Sequence, residues 1–289
     1  MIEISNLTKS YDGQIVIKNC NAKIHDGSIN GLVGENGAGK STLLRLIAGV
    51  LKADSGSIRL DGEEIFESPN AKAKIFFLAD EPYYGKNAHI KDLTTLYTCF
   101  FDRFTPEEFK KNLVRYQVDI DKPLNSFSKG MRRKAYLAAA LASHADIILI
   151  DEAFDGLDPY SRNEFKKDLI ELIAKNPKTT VVIASHSLRE LGDICDSYSL
   201  VDNGQISDEF VQAKNLHKVH LAFGDSVPND LHELQPIAVK RDGHFLVVVT
   251  DATEVKIRAF FAPYNPLMLD IVPLTVEEAF IYNKEREML

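Results

Sequence analysis

Between Met1 and about Ser207 the chain alternates two textures. Short apolar runs rich in branched residues, INGLVG (29–34), KIFFLA (74–79), DIILID (146–151) and TTVVIAS (179–185), show no regular polar alternation. They predict strands buried on both faces of a largely parallel sheet. Amphipathic segments lie between them. In LDPYSRNEFKKDLIELIAK the spacing of Phe165, Leu169, Leu172 and Ile173 predicts a helix with one buried stripe. Asp158 is its cap and Pro159 its first residue. Strands alternating with helices make an α/β layered core.

From Pro82 to Asn125 the pattern becomes helical. TPEEFKKNLVRY has the look of a capping box, Thr105 with Glu108, followed by a stripe of Phe109, Leu113 and Tyr116. The aromatics of LYTCFFDRF just before it fit a packed helical subdomain or a surface for a partner. NSFSKGMRRKAYLAAALA predicts a helix capped by Ser128, with Tyr136, Leu137, Ala140 and Leu141 inward. Its first turns hold Lys129, Arg132, Arg133 and Lys134, where the helix dipole favours acids. Either these cations form a solvated face, or an anion arrives there from elsewhere.

After Gly204 the texture changes to a small α+β appendage. KVHLAFG, IAVKRDGHFLVVVT and EVKIRAFF predict strands, with a hairpin turn at Asp242–Gly243, and LTVEEAFIYNKE predicts a closing helix. The expected division is a cassette over 1–207, with its helical subdomain at about 82–142, and a domain over 208–289.

Bulk properties narrow the partners. The 289 residues are 45% hydrophobic and carry a net charge of -8, which argues against non-specific nucleic-acid binding. Three cysteines, Cys20, Cys99 and Cys195, match no metal pattern and suggest buried thiols in a reducing compartment. The start of the chain lacks a signal-peptide build, and no apolar run is long enough to span a bilayer. Work at a membrane would therefore go through a partner.

The chemistry begins at GENGAGKST: Gly34, Glu35, Asn36, Gly37, Ala38, Gly39, Lys40, Ser41 and Thr42. This matches G-x-x-x-x-G-K-[ST] between a predicted strand and a predicted helix. The glycines let backbone amides wrap an anion, and the helix amino terminus adds its dipole. Lys40 is the candidate for the β- and γ-phosphates and Ser41 for Mg²⁺. A second apolar strand ends in Asp151–Glu152. Asp151 is placed to hold Mg²⁺ and Glu152 to orient or deprotonate a water.

With these motifs the chain resembles the ATP-binding subunits of ABC transporters over about Met1 to Ile206. GENGAGKST resembles their Walker A loop and IILIDE their Walker B strand. FSKGM lies where the family has its LSGGQ signature, GLDP where it has the D-loop and ASHSLRE where it has the switch histidine. The resemblance implies that Tyr11 stacks on adenine and that His186 touches the γ-phosphate. It also implies that Ser128, Lys129, Gly130, Met131 and Asp158 face a nucleotide held by another subunit. An anion arriving in that way would answer the crowded cations.

There are two departures. Lys129 and Met131 replace a glycine and the glutamine of the signature, a form similar to that of exporters for drugs, peptides and bacteriocins with separate membrane chains. Asp80, in FFLADEPYYG, stands at the usual Q-loop glutamine, a position that contacts the metal or water. The fold implied is a P-loop NTPase cassette. The implied ligands are ATP and Mg²⁺. The implied partners are a second copy or homologous ATPase subunit and a polytopic membrane permease, with no nucleic acid. The implied place is cytoplasmic, on the inner face of the membrane. The alternative is a soluble, non-transport ABC-type ATPase with a regulatory role. The appendage could steady a dimer, bind a regulator or simply pack.

Overall fold

The computed structural model describes residues 1–206, 210–211, 216–224, 227–274 and 278. The chain divides into two units, Met1–Phe210 and Val211–Leu289. The first opens with β1 (Ile2–Tyr11), β2 (Gln14–Ile24), β3 (Ile29–Val33), α1 (Lys40–Ile47), β4 (Ser55–Leu60), β5 (Glu63–Glu64), α2 (Pro69–Lys72) and β6 (Ile75–Leu78). Three helices follow: α3 (Ile90–Phe100), α4 (Pro106–Arg115) and α5 (Lys129–Ala142). Then come β7 (Ile147–Asp151), α6 (Pro159–Lys175), β8 (Thr180–Ser185), α7 (Leu188–Leu191), β9 (Ser197–Asp202) and β10 (Gln205–Ile206), with the short β11 (Phe210–Val211) at the boundary.

The predicted strands form the central sheet, in the order β10-β9-β3-β8-β7-β6. Neighbours from β9 to β6 are parallel, the β10 hairpin runs back, and β11 also pairs with β9. Every residue of β3, β7 and β8 is buried, which is why their sequences show no alternation. An antiparallel sheet, β2-β1-β4-β5, lies beside it. Leu43, Leu44, Leu46 and Ile47 of α1 share one core with Ile2, Ile4, Leu7 and Ile17 of that sheet and Leu149 and Val182 of the central one. The helix that follows the phosphate loop is thus clamped between two sheets, and its first residue has little freedom to move.

The helical segment packs through its aromatics. Phe76 of β6 meets Tyr97 and Phe101 at centroid distances of 5.1 and 5.5 Å. Phe104 links Tyr97 (5.9 Å) to Phe109 of α4 (5.6 Å). Leu96 and Phe100 point outward, so packing accounts for one face of α3 only. Cys20 and Cys195 are buried, but Cys99 is exposed on α3, contrary to the expectation of buried thiols. The Thr105 capping box does not form: Thr105 makes no side-chain cap, and Glu108 instead holds His144 at 3.0 Å.

The second unit carries an antiparallel sheet, β13-β14-β12-β15, formed by β12 (His217–Ala222), β13 (Ala238–Asp242), β14 (Phe245–Thr250) and β15 (Met268–Pro273). The hairpin pairs Asp242 with Phe245, so its turn is Gly243–His244, one residue later than predicted. EVKIRAFF is a helix, α8 (Glu254–Phe261), where a strand was predicted. Thr253 caps it through the Lys256 amide, and Ile257 and Phe261, one turn apart, enter the unit's own core with Val219, Leu246 and Val248. Most of the predicted closing helix, LTVEEAFIYNKE, lies outside the described residues. Among the described residues no helix is long and apolar enough to cross a membrane.

Candidate active site

The loop after β3 turns sharply into α1 because Gly39 adopts φ 111°, a left-handed conformation that only glycine takes readily. A Cβ there would lie 2.9 Å from Ile17 and 3.0 Å from the Val16 carbonyl. Gly39 offers no side-chain cap to the first amides of α1, which is the arrangement by which a helix start can receive an anion. Lys40 is 5% exposed and folds back across the loop. Its Nζ donates to the carbonyls of Gly34 (2.7 Å) and Glu35 (3.0 Å) and lies 3.9 Å from Glu152 Oε1. Burial lowers the ammonium's pKa, while Glu152 and Asp151 work in the opposite direction.

The carboxylate pair closes the site from β7. Asp151 is 1% exposed, and both its oxygens are buried without a hydrogen-bond partner of ordinary geometry. Desolvation raises its pKa, and the nearby Ser41 hydroxyl opposes the rise. A buried, unpaired carboxylate beside a hydroxyl at a phosphate loop is a donor set that suits a hard cation such as Mg²⁺. Among the described residues no group of three or more His, Cys, Asp and Glu side chains could hold a metal. The remaining ligands for Mg²⁺ would therefore be phosphate oxygens and water.

Glu152 leaves the strand at φ 51°, and its amide donates to the Ala184 carbonyl of β8 at 2.9 Å. Its Oε2 lies 3.0 Å from Nδ1 of His186, which is exposed just after β8. The Ser185 hydroxyl accepts the Ser187 amide at 3.0 Å and donates to Glu190 at 3.1 Å, which fixes the turn carrying the histidine. Lys40, Ser41, Asp151, Glu152 and His186 therefore converge from α1, β7 and β8. Tyr11 ends β1 with its ring 41% exposed and Lys9 Nζ 5.6 Å from the ring centroid.

The signature residues meet different partners. Ser128 caps α5 by accepting the Met131 amide at 3.2 Å. A Cβ at Gly130 would lie 2.3 Å from the Gly156 carbonyl, so the start of α5 is packed against the turn that precedes α6. Asp158 caps α6 through the Ser161 hydroxyl (2.6 Å) and amide (2.9 Å) and pairs with Lys134 at 3.1 Å. These contacts hold its carboxyl well below the usual range. No hydrogen bond or ion pair joins Ser128–Met131 to Gly34–Thr42 among the described residues.

Three of the four crowded cations of α5, Lys129, Arg133 and Lys134, pair with carboxylates of the same chain, so the start of the helix has partners of its own besides any anion brought by a second subunit. Lys129 Nζ lies 2.6 Å from Asp155 and 3.1 Å from Asp80, and both carboxylates raise its pKa, Asp155 most. Arg132 donates to the Phe127 carbonyl and lies over the ring of Tyr84. Asp80, expected at a metal contact, has its Oδ1 engaged by Lys129 and, at 3.2 Å, by Arg133. Arg133 is the residue that the sequence reading missed. At 3% exposure it belongs to the interior, and its position is in phase with Tyr136, Leu137 and Ala140. A cation one turn before an apolar stripe was the available signal.

A parallel sheet that ends in a phosphate loop and a carboxylate pair defines a P-loop nucleoside triphosphatase. A sequence profile of the ABC transporter family matches residues 17–155. The ABC transporter ATP-binding protein YtrB of Bacillus subtilis (strain 168) is 28% identical over 285 residues, which is 97% of both chains. The lantibiotic transport ATP-binding protein SrtF of Streptococcus pyogenes is 32% identical over 226 residues, 76% of this chain and 95% of its own. A solved structure of an ATP-binding subunit of an ABC transporter superposes with TM-score 0.65 at 22% identity, covering 73% of this chain and 90% of that one. The likeness to that structure speaks for the fold. The chain belongs to the ATP-binding subunits of ABC transporters. It is an ATPase.

Proposed function

We propose that this chain powers a separate membrane-spanning permease by hydrolysing ATP at the site around Lys40 and Glu152. The convergence of Glu152 with His186 (3.0 Å) and Lys40 (3.9 Å) carries the reading. Lys40 and the first amides of α1 bind the β- and γ-phosphates and stabilise charge that develops on them. Glu152 orients the attacking water or takes its proton, and His186 holds the γ-phosphate next to it. Ser41 and Asp151 would hold Mg²⁺, which when bound neutralises phosphate charge. Tyr11 offers a ring face to adenine.

The separation of Ser128 and Gly130 from the chain's own phosphate loop supports a shared site. A second copy, or a homologous subunit, supplies its signature turn to this nucleotide, and this chain returns the contact. ATP then holds the pair closed, and hydrolysis releases it. A cleft of about 400 Å³ lined by Glu81, Tyr83, Tyr84, Lys129 and Arg132 adjoins Asp80. Tyr83 is 95% exposed there. A permease loop docked in this cleft would sense closure, with the chain held at the inner face of the membrane. The Ser-Lys-Gly-Met signature and the likeness to a lantibiotic transport protein support export of an amphiphilic peptide or drug.

The test is Glu152→Gln. Loss of the carboxylate lowers turnover by about 100-fold or more while Mg-ATP binding persists. Wild-type turnover in this variant would remove Glu152 from its role.

A further inference from the structure

The left-handed turn at Glu152 is held from two sides. Its amide is fixed by the Ala184 carbonyl at 2.9 Å. Its carbonyl accepts from Nη2 of Arg133 at 2.6 Å, and the same nitrogen donates to the Asp151 carbonyl at 2.8 Å and Asp80 Oδ1 at 3.2 Å. Nη1 donates to the Ala79 carbonyl at 3.0 Å. One guanidinium from α5 is therefore wedged between the exits of β6 and β7, bracketing both acidic positions. Glutamate rarely adopts positive φ without such support.

We propose that Arg133 is the positioning residue for Glu152. It clamps the carbonyls of Asp151 and Glu152 so that the Glu152 carboxylate points at the phosphate loop and His186. Asp80 balances the charge of the clamp. Because the clamp is carried on α5, displacement of that helix reaches the water-activating carboxylate of the same chain directly. Burial lowers the pKa of Arg133, with Asp80 the strongest of the opposing carboxylates, yet a guanidinium stays protonated in proteins. The geometry also separates Arg133 from its neighbours: Lys129, Arg132 and Lys134 contact side chains or their own helix start, whereas Arg133 alone among these four cations reaches the backbone of the carboxylate pair.

This inference rests on Glu152 being the water-activating group, and the experiment keeps the two apart. Full-length Arg133→Lys and Arg133→Met are assayed for steady-state ATP hydrolysis, each with Glu152 or with Glu152→Gln. Lysine keeps the charge without the planar fork, so kcat falls about tenfold, and methionine lowers it by about 100-fold, the scale of a misplaced catalytic group. KM for Mg-ATP stays within about twofold for both. In the Glu152→Gln background neither substitution lowers the residual rate further, because the clamp acts through the missing carboxylate. The proposal is overturned if KM rises by the same factor as kcat falls, or if the residual rate in the Glu152→Gln background drops in proportion. Should Arg133→Met fail to fold, Arg133→Lys meets the same two criteria alone. Unimpaired turnover of Glu152→Gln by itself would sink the role of Glu152 and leave the clamp without a target.

Discussion

Asp151 and Arg133 are both buried charges, and they solve the problem of burial differently. Arg133 gives both terminal nitrogens of its guanidinium acceptors and leaves only Nε without one. Asp151 has none of ordinary geometry, a costly arrangement unless a cation arrives. Its carboxyl has a raised pKa in the fold, so stability contributed by the neutral form is lost as pH rises through that value. Asp151→Asn at neutral pH therefore raises the melting temperature of the nucleotide-free protein and abolishes the further rise that Mg²⁺ gives with ATP. A lowered apo melting temperature, measured by calorimetry, would contradict this. At this scale the sequence showed Lys40, Ser41, Asp151 and Glu152 plainly, because a phosphate loop needs fixed residue types at fixed spacing. Arg133 was hidden among three cations that are not buried, and only its helical phase set it apart.

At the scale of elements, the two departures from the family pattern touch each other. Asp80 follows β6 and Lys129 starts α5, and their charged ends lie 3.1 Å apart. Each has a second partner, Arg133 for Asp80 and Asp155 for Lys129. Both groups are about 40% exposed, so their direct coupling belongs to the range of about 0.2–1 kcal/mol. In urea unfolding of the full chain, Asp80→Asn combined with Lys129→Gln costs less than the sum of the single changes by that amount. Strict additivity would show that the two departures are independent. The central strands were legible because burial on both faces leaves uninterrupted apolar runs. Helix α8 was not, because Val255 and Ile257 alternate as in a strand, and the decision falls to the Thr253 cap and the i,i+4 contact of Ile257 with Phe261. The Thr105 box failed because Glu108 found His144, a residue distant in sequence.

For the whole molecule, the proposed function gives one subunit two halves of different sites: its phosphate loop, carboxylate pair and His186 on one side, and the capped start of α5 at Ser128 and Gly130 on the other. The second unit has its own sheet and core, and a relative of matching length aligns over 97% of both chains, so its presence is not peculiar to this protein. The central claim is that Mg-ATP closes two subunits around shared nucleotide. Light scattering coupled to size exclusion, on Glu152→Gln at saturating Mg-ATP, measures it most directly. The predicted result is a species of twice the 32.3 kDa chain mass with ATP and of single mass with ADP. A single-mass species with ATP bound, alone and with the permease present, would contradict the account.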